Sequence, residues 1–205
     1  MKGALLIFSL SLVLSVTAQD KILTMGGQLI ECEIVDDLGI DIRYMFTKKN
    51  GKVKDKRMHR SDIFSITRAG QEEQVLYAKD EALGDWLTVE EMRIFIAGEQ
   101  DAQNNYDVKW ITIGGVGTGA ILAYAAQGGL MVTIAGPVLY TIAQLIPVIR
   151  IEEETMSDLS NQYNEVYALG YERVARSKRV VAGLKSSAIG MLAGIVTWIL
   201  VPLTK

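Results

Sequence analysis

The spacing of hydrophobic positions changes rhythm along the chain, and each change predicts a different kind of element. Residues 1–18 read MKGALLIFSLSLVLSVTA. Lys2 is followed by an apolar run from Ala4 to Val16 and a small-residue Val16-x-Ala18 pattern, so an export signal cleaved after Ala18 is expected. Cysteine is absent from that junction, which excludes a lipoprotein. From Asp20 the rhythm has period two. Ile30, Cys32 and Ile34 alternate with Glu31 and Glu33, and Ile40, Ile42, Tyr44 and Phe46 alternate with Asp41, Arg43 and Thr47, the signature of strands with one apolar face. Gly26-Gly27, Asp36–Gly39 and Gly70 punctuate these runs, and Lys48-Lys49-Asn50-Gly51 predicts a hairpin because Asn-Gly accepts the positive φ of a tight turn. Further strands are expected from Val53 towards His59, and from Ile63–Thr67 paired with Val75–Tyr77. Five or six short strands over residues 19–87 predict a small barrel or rolled sheet that limits its open edges.

Beyond residue 87 the period becomes helical, making the chain α+β. Thr88-x-x-Glu91 is a capping box, and Met92, Phe95, Ile96, Ala102 and Tyr106 recur at spacings of three and four, predicting a connector helix over 88–109. Glu99 and Asp101 diverge on a helix, being two positions apart, and read as a cap and a solvated flank. Residues 110–149 carry no charge for 40 positions, enough for two spans of about 20 residues each. Gln127-Gly128-Gly129 is the expected turn of that transmembrane hairpin, with Pro137 and Pro147 kinking or ending its second arm. An amphipathic helix is expected over 150–185. Glu152–Glu154 at its start and Arg173–Arg179 at its end suit the helix dipole. A third span follows at 186–203, with Lys185 snorkelling outward.

Charge adds two exclusions. With 21 basic and 24 acidic residues, the chain has no basic stripe for nucleic acid. The charges fall almost wholly within 20–109 and 150–185, the segregation expected of a membrane protein. Small residues recur every fourth position on the first and third spans, as Gly115, Gly119 and Ala123, and as Ser186, Gly190 and Gly194. That spacing lets helix backbones approach closely, and packing of the first span on the third within one chain is expected. Trp110 and Trp198 are expected at membrane interfaces, and the stripe of Tyr163, Tyr167 and Tyr171 against lipid or a neighbouring helix. The spans contain no Asp, Glu, His or Arg, which argues against a proton relay. Cys32 and His59 are single in the sequence. A Cys-His dyad is conceivable, but Cys32 falls on an apolar strand face and His59 in a basic, solvated run. No catalytic, cofactor or metal site is assigned. Orientation holds a conflict: two crossings over 110–149 place Arg176-Ser177-Lys178-Arg179 outside, against the positive-inside rule. Two crossings and a cytoplasmic C-terminus are nonetheless expected.

The run AQDKILTMGGQLIECEIVDDLGIDIRY, followed by RSDIFSI, resembles the opening of Bacteroidetes-type exported proteins, with Gln-Asp after the signal, a strand-Gly-strand start and an Ile-x-x-Ile closing turn. The elements Gly98-x-x-Asp101-Ala102 and Asn164-x-x-Tyr167-x-x-Gly170-Tyr171 look like parts of the same family. The resemblance implies an SH3-like or Sm-like barrel over residues 18 to 77 and brings no activity with it. The expected protein is therefore a non-enzymatic envelope protein of the bacterial inner membrane. Its periplasmic β-domain would bind a protein or envelope partner, and its remaining partner is membrane lipid. An outer-membrane location is a further option. The alternative is a small homo-oligomeric channel or permeability factor built on the glycine-rich helices.

Overall fold

The computed structural model describes residues 19–48, 50–82, 84–126 and 129–200. The expected export signal at 1–18, the expected turn at Gln127-Gly128 and the end of the expected third span at Leu203 lie outside the described residues. The chain divides into two compact units, Met1–Tyr77 and Ala78–Lys205.

The first unit is an antiparallel six-stranded sheet. Its strands are β1 (Asp20–Thr24), β2 (Leu29–Asp36), β3 (Asp41–Thr47), β4 (Val53–His59), β5 (Ile63–Thr67) and β6 (Glu73–Val75), in the order β4-β3-β2-β1-β5-β6. A closed barrel is not formed: β4 and β6 are the two edges of an open sheet. Closure requires edge strands long enough to meet in register, and β6 is only three residues long. Apart from Ile40, which precedes β3 and is exposed, the period-two apolar positions of β2 and β3 turn to one face, where Ile22, Cys32, Ile42, Tyr44, Ile63 and Ile66 form the core. Gly51 turns β3 into β4 at φ 77°, and Gly70 turns β5 into β6 at φ 72°. Asp20 tethers the start of β1 on both sides: one carboxylate oxygen accepts from the Ile34 N–H at 2.9 Å and the other from the Ala69 N–H at 2.8 Å. The Ile34 donor lies on β2 past the end of its pairing with β1, where the side chain substitutes for a missing strand.

Among its described residues the second unit holds four α-helices, α1 (Val89–Asn105), α2 (Lys109–Ala125), α3 (Leu130–Ala143) and α4 (Glu165–Leu200). The capping box is present at both bonds, Thr88 Oγ1 accepting from Glu91 N–H and Glu91 Oε2 from Thr88 N–H. α1 and α2 meet at a bend of 58°. Three differences from the sequence reading stand out. The expected amphipathic helix and third span are one continuous helix of 36 residues, because no proline interrupts it and Gly183 alone costs only about 1 kcal/mol. That helix starts at 165, not 150. Residues 150–164 form two short 3-10 turns, in which Asp158 and Asn164 accept backbone N–H groups and so compete with helix formation. Glu152–Glu154 thus lie outside α4, and the basic residues Arg173–Arg179 sit in its middle rather than at its end, so the dipole pattern read from the sequence is not realised. Finally, α2 and α3 have 17 and 14 residues, about 26 and 21 Å, short of a full bilayer core. Among the described residues α4 is the one helix long and apolar enough to cross a membrane, and α1 with α2 passes the same test as a bent pair.

The bent α1–α2 arm runs parallel to α4 at one constant sequence offset. A Cβ on Gly98 would lie 2.3 Å from the Tyr167 carbonyl oxygen, and one on Gly170 2.1 Å from that of Phe95. Further along, Gly119 meets the Ser187 carbonyl at 2.1 Å, Gly190 that of Val116 at 2.1 Å, and Gly194 that of Ala120 at 2.4 Å. No side chain fits at these distances, so glycine is required by the backbone approach itself.

Two outcomes follow. Burial and the Asp20 carboxylate push the Cys32 thiol up to about 11, so folded protein at pH 8 should react with a thiol reagent roughly a hundredfold more slowly than unfolded protein; comparable rates would remove Cys32 from the core. Gly119→Leu and Gly190→Leu should each cost on the order of 1–3 kcal/mol, with a double variant less harmful than the sum. Gly117→Leu should be tolerated, since nothing lies within 4 Å of its Cβ position among the described residues. Protein level and protease resistance in membranes report the result, and equal tolerance at all three glycines would contradict the close approach.

Candidate functional site

The densest polar chemistry lies where the C-terminal half of α1 meets the N-terminal half of α4. Small residues bring the two helices together there: Gly98 and Ala102 on α1, Gly170 and Ala175 on α4, all buried. This proximity buries two carboxylates that the sequence reading placed on a solvated flank, Glu99 at 2% exposure and Asp101 at 5%.

Asp101 is fully engaged. Its Oδ2 accepts from Tyr167 Oη at 2.6 Å and from the Ser157 N–H and Oγ at 2.9 Å each. The bond to the carboxylate, together with burial, raises the Tyr167 hydroxyl well above its ordinary pKa, burial being the larger cause. Tyr171 is raised as well, chiefly by burial. Its hydroxyl donates to Thr155 Oγ1 at 2.9 Å, and Asn105 Nδ2 donates to the Thr155 carbonyl at 2.8 Å. Tyr171 packs edge-on against Tyr106 and tilted against Tyr167, with ring centroids 6.2 Å apart in each pair. The cluster fastens the 150–164 segment over α1 and α4. The 2.6 Å bond from the Tyr167 hydroxyl to the Asp101 carboxylate ties α4 to α1.

Glu99 is different. Oε1 faces the Arg173 guanidinium at 3.3 Å, and Oε2 is buried with no hydrogen-bond partner among the described residues. Burial raises its pKa, and the Arg173 charge offsets this only partly. Glu99 and Arg173 line the polar end of a groove of about 700 Å³. The groove follows the inside of the α1–α2 bend and α4 down to Val116 and Ile189. Lys178 lies beside it and donates from Nζ to the carbonyls of Ala102, Gln103 and Tyr106 at 2.8–3.2 Å. It thereby closes the C-terminal end of α1, where carbonyls are otherwise unpaired.

The residues singled out from the sequence divide. Gly115, Gly119 and Ala123 are buried on α2, and Ser186, Gly190 and Gly194 are buried on α4; the structure brings these two sets face to face. Trp110 is largely exposed and Trp198 partly so. The tyrosine stripe is broken. Tyr163 precedes α4 and is 91% exposed, whereas Tyr167 and Tyr171 are buried at 1% and 0% against α1, the neighbouring-helix packing expected of them. Cys32 and His59 lie on β2 and β4 with β3 between them, and His59 is engaged with Ser61 instead. Among the described residues no group of three His, Cys, Asp or Glu side chains gathers as a metal site would require.

No family model, no curated protein and no solved structure matches this chain.

The state of Glu99 sets a pH dependence. Its folded pKa is raised above the ordinary 4.5, so the folded state holds the proton more tightly than the unfolded state. Stability is then lost as pH rises from about 4.5 through the folded value. Glu99→Gln, which cannot ionise, should gain stability relative to the parent over that window and keep the gain at neutral pH. Thermal melts from pH 4 to 8 measure it; a variant whose deficit grows with pH would show that the Arg173 pairing outweighs burial.

Proposed function

We propose that this is a non-enzymatic, membrane-anchored envelope protein whose sheet unit binds a protein or envelope partner. The observation that carries the anchor is where apolar surface is left uncovered. Ile113 and Ile121 on α2, Leu139 on α3, and Ile189 and Leu192 on α4 are all more than half exposed. A helical unit with large apolar side chains facing outward over three helices is solvated by lipid, not water. α4 is about 54 Å long, so its last 20 residues fill a bilayer core and its charged first part stands outside. The export signal and the resemblance to exported proteins support a periplasmic sheet unit, and a helical anchor suits the inner membrane.

The run Arg173–Arg179 is then periplasmic, against the usual charge bias, and its contacts supply a reason. Arg173 pairs with Glu99, Lys178 closes α1, and Arg176 and Arg179 donate to the carbonyls of Leu145 and Pro147 just past α3. These cations satisfy helix ends rather than signal orientation. For the sheet unit, the support is an edge strand, β4, with Lys54, Lys56 and Arg57 exposed, and a β2–β3 turn with Leu38 and Ile40 exposed. This surface suits an acidic partner with an apolar element. The channel alternative is weakened because Gly115, Gly119, Gly190 and Gly194 are occupied inside one chain.

Alkaline washing of membranes followed by light scattering in detergent tests the proposal. The protein should stay in the membrane fraction and run as one chain or with a different protein. Release by alkali would overturn the anchor, and a defined homo-oligomer would favour the channel.

A further inference from the structure

The groove at the α1–α2 bend is built for an amphiphile. Its wall changes character along its length. At one end stand Glu99, Arg173, Lys178 and Lys185, three cations against one carboxylate; at the other, Val116 and Ile189. Arg173 and Lys178 belong to the part of α4 outside the expected bilayer core, and Lys185 lies about one turn inside it, within snorkelling reach of the boundary. Val116 and Ile189 lie about a turn further in. Lys185 is exposed on the groove rim. Glu99 is 2% exposed and its Oε2 has no partner among the described residues. A buried acceptor without a donor costs on the order of 1–3 kcal/mol, and Glu99 is one of the residues that line the groove. The groove therefore suits an anionic group against Lys185, a hydroxyl donor against Glu99, and an acyl chain along Val116 and Ile189.

We propose that the groove is a binding site for an anionic glycerophospholipid with headgroup hydroxyls, phosphatidylglycerol being the occupant: its phosphate sits against Lys185 on the side of Lys178, a glycerol hydroxyl donates to Glu99 Oε2, and one acyl chain follows Val116 and Ile189. This rests on the membrane-anchored reading. Net positive charge at a helix junction favours a phosphate without a balancing ammonium, which separates this lipid from phosphatidylethanolamine. The hydroxyl acceptor separates it from anionic lipids with bare headgroups.

The test is lipid titration of the full-length protein in detergent, read by native mass spectrometry. Phosphatidylglycerol should bind with one molecule per chain held through delipidation, and phosphatidylcholine should bind at least roughly tenfold more weakly, the scale of one or two charge-assisted bonds. Phosphatidylmethanol, with equal charge and no headgroup hydroxyl, should bind severalfold more weakly. Lys185→Glu and Ser177→Trp, both at exposed positions on the groove, should lower phosphatidylglycerol binding roughly tenfold while leaving the melting temperature unchanged. Lys21→Ala, on β1, should not change it. Equal binding of phosphatidylglycerol and phosphatidylcholine, a preference for phosphatidylethanolamine, or indifference to both groove variants would overturn the assignment. A protein that stays in alkali-washed membranes but fails these comparisons loses the lipid site and keeps its anchor; one released by alkali loses both.

Discussion

Everything in the helical unit depends on how closely the α1–α2 arm approaches α4. At Gly98, Gly119, Gly170 and Gly190 the space for a side chain is already occupied by the opposite backbone. Such contact gives many weak dispersion interactions over a long seam. In lipid, where apolar burial gains nothing, it is the main attraction available. The seam continues past the 58° bend because α4 supplies glycine or a small residue on both sides of it. Parallel pairing at constant offset has a second consequence. The amino-terminal ends of α2 and the apolar half of α4 come to the same level, so polar and basic groups collect in one layer beside the groove.

That layer explains the buried polar chemistry. Once the small residues draw α1 onto α4, neighbouring Glu99 and Asp101 are carried out of water with them. Asp101 is compensated by three donors on one oxygen, two of them from Ser157 in the irregular segment. The segment needs Asp101 as much as Asp101 needs the segment, since 150–164 has little regular structure of its own. Glu99 is compensated on one oxygen only. Two carboxylates two residues apart thus end in different conditions, one with three donors on a single oxygen and one with a buried oxygen that has no partner among the described residues.

The strands were legible because each carries a local signal. Alternation at Ile30–Ile34 and Ile42–Phe46 fixes a face, and Asn50-Gly51 fixes a turn. Openness of the sheet was not legible, since closure depends on how far the edge strands extend and β6 is cut short after Val75. The small-residue spacing on α2 and α4 was plain in the sequence. The same spacing at Gly98 and Ala102 lies on a charged helix and reads there as part of a family element rather than a packing stripe, although it is the signal that places Glu99 and Asp101 indoors. Tyr167 and Tyr171 were read with Tyr163 as one stripe because their spacing is the same. Helix α4 begins only at 165, with Asn164 capping it, and the stripe loses its first member. Burial set by a partner about 70 positions away is invisible to any window of sequence.

Spin-label distances in liposomes test the parallel seam most directly. With Cys32 replaced by serine, labels at Trp110 with Val181 and at Tyr124 with Val196 mark the two ends of α2 against α4. All four positions are exposed. The account predicts short, similar distances for both pairs. For Trp110 with Val196 it predicts a clearly longer one, the two positions lying about 22 Å apart along the helix axis. A crossed pair shorter than the matched pairs would mean that the helices run antiparallel, and the seam described here would be wrong.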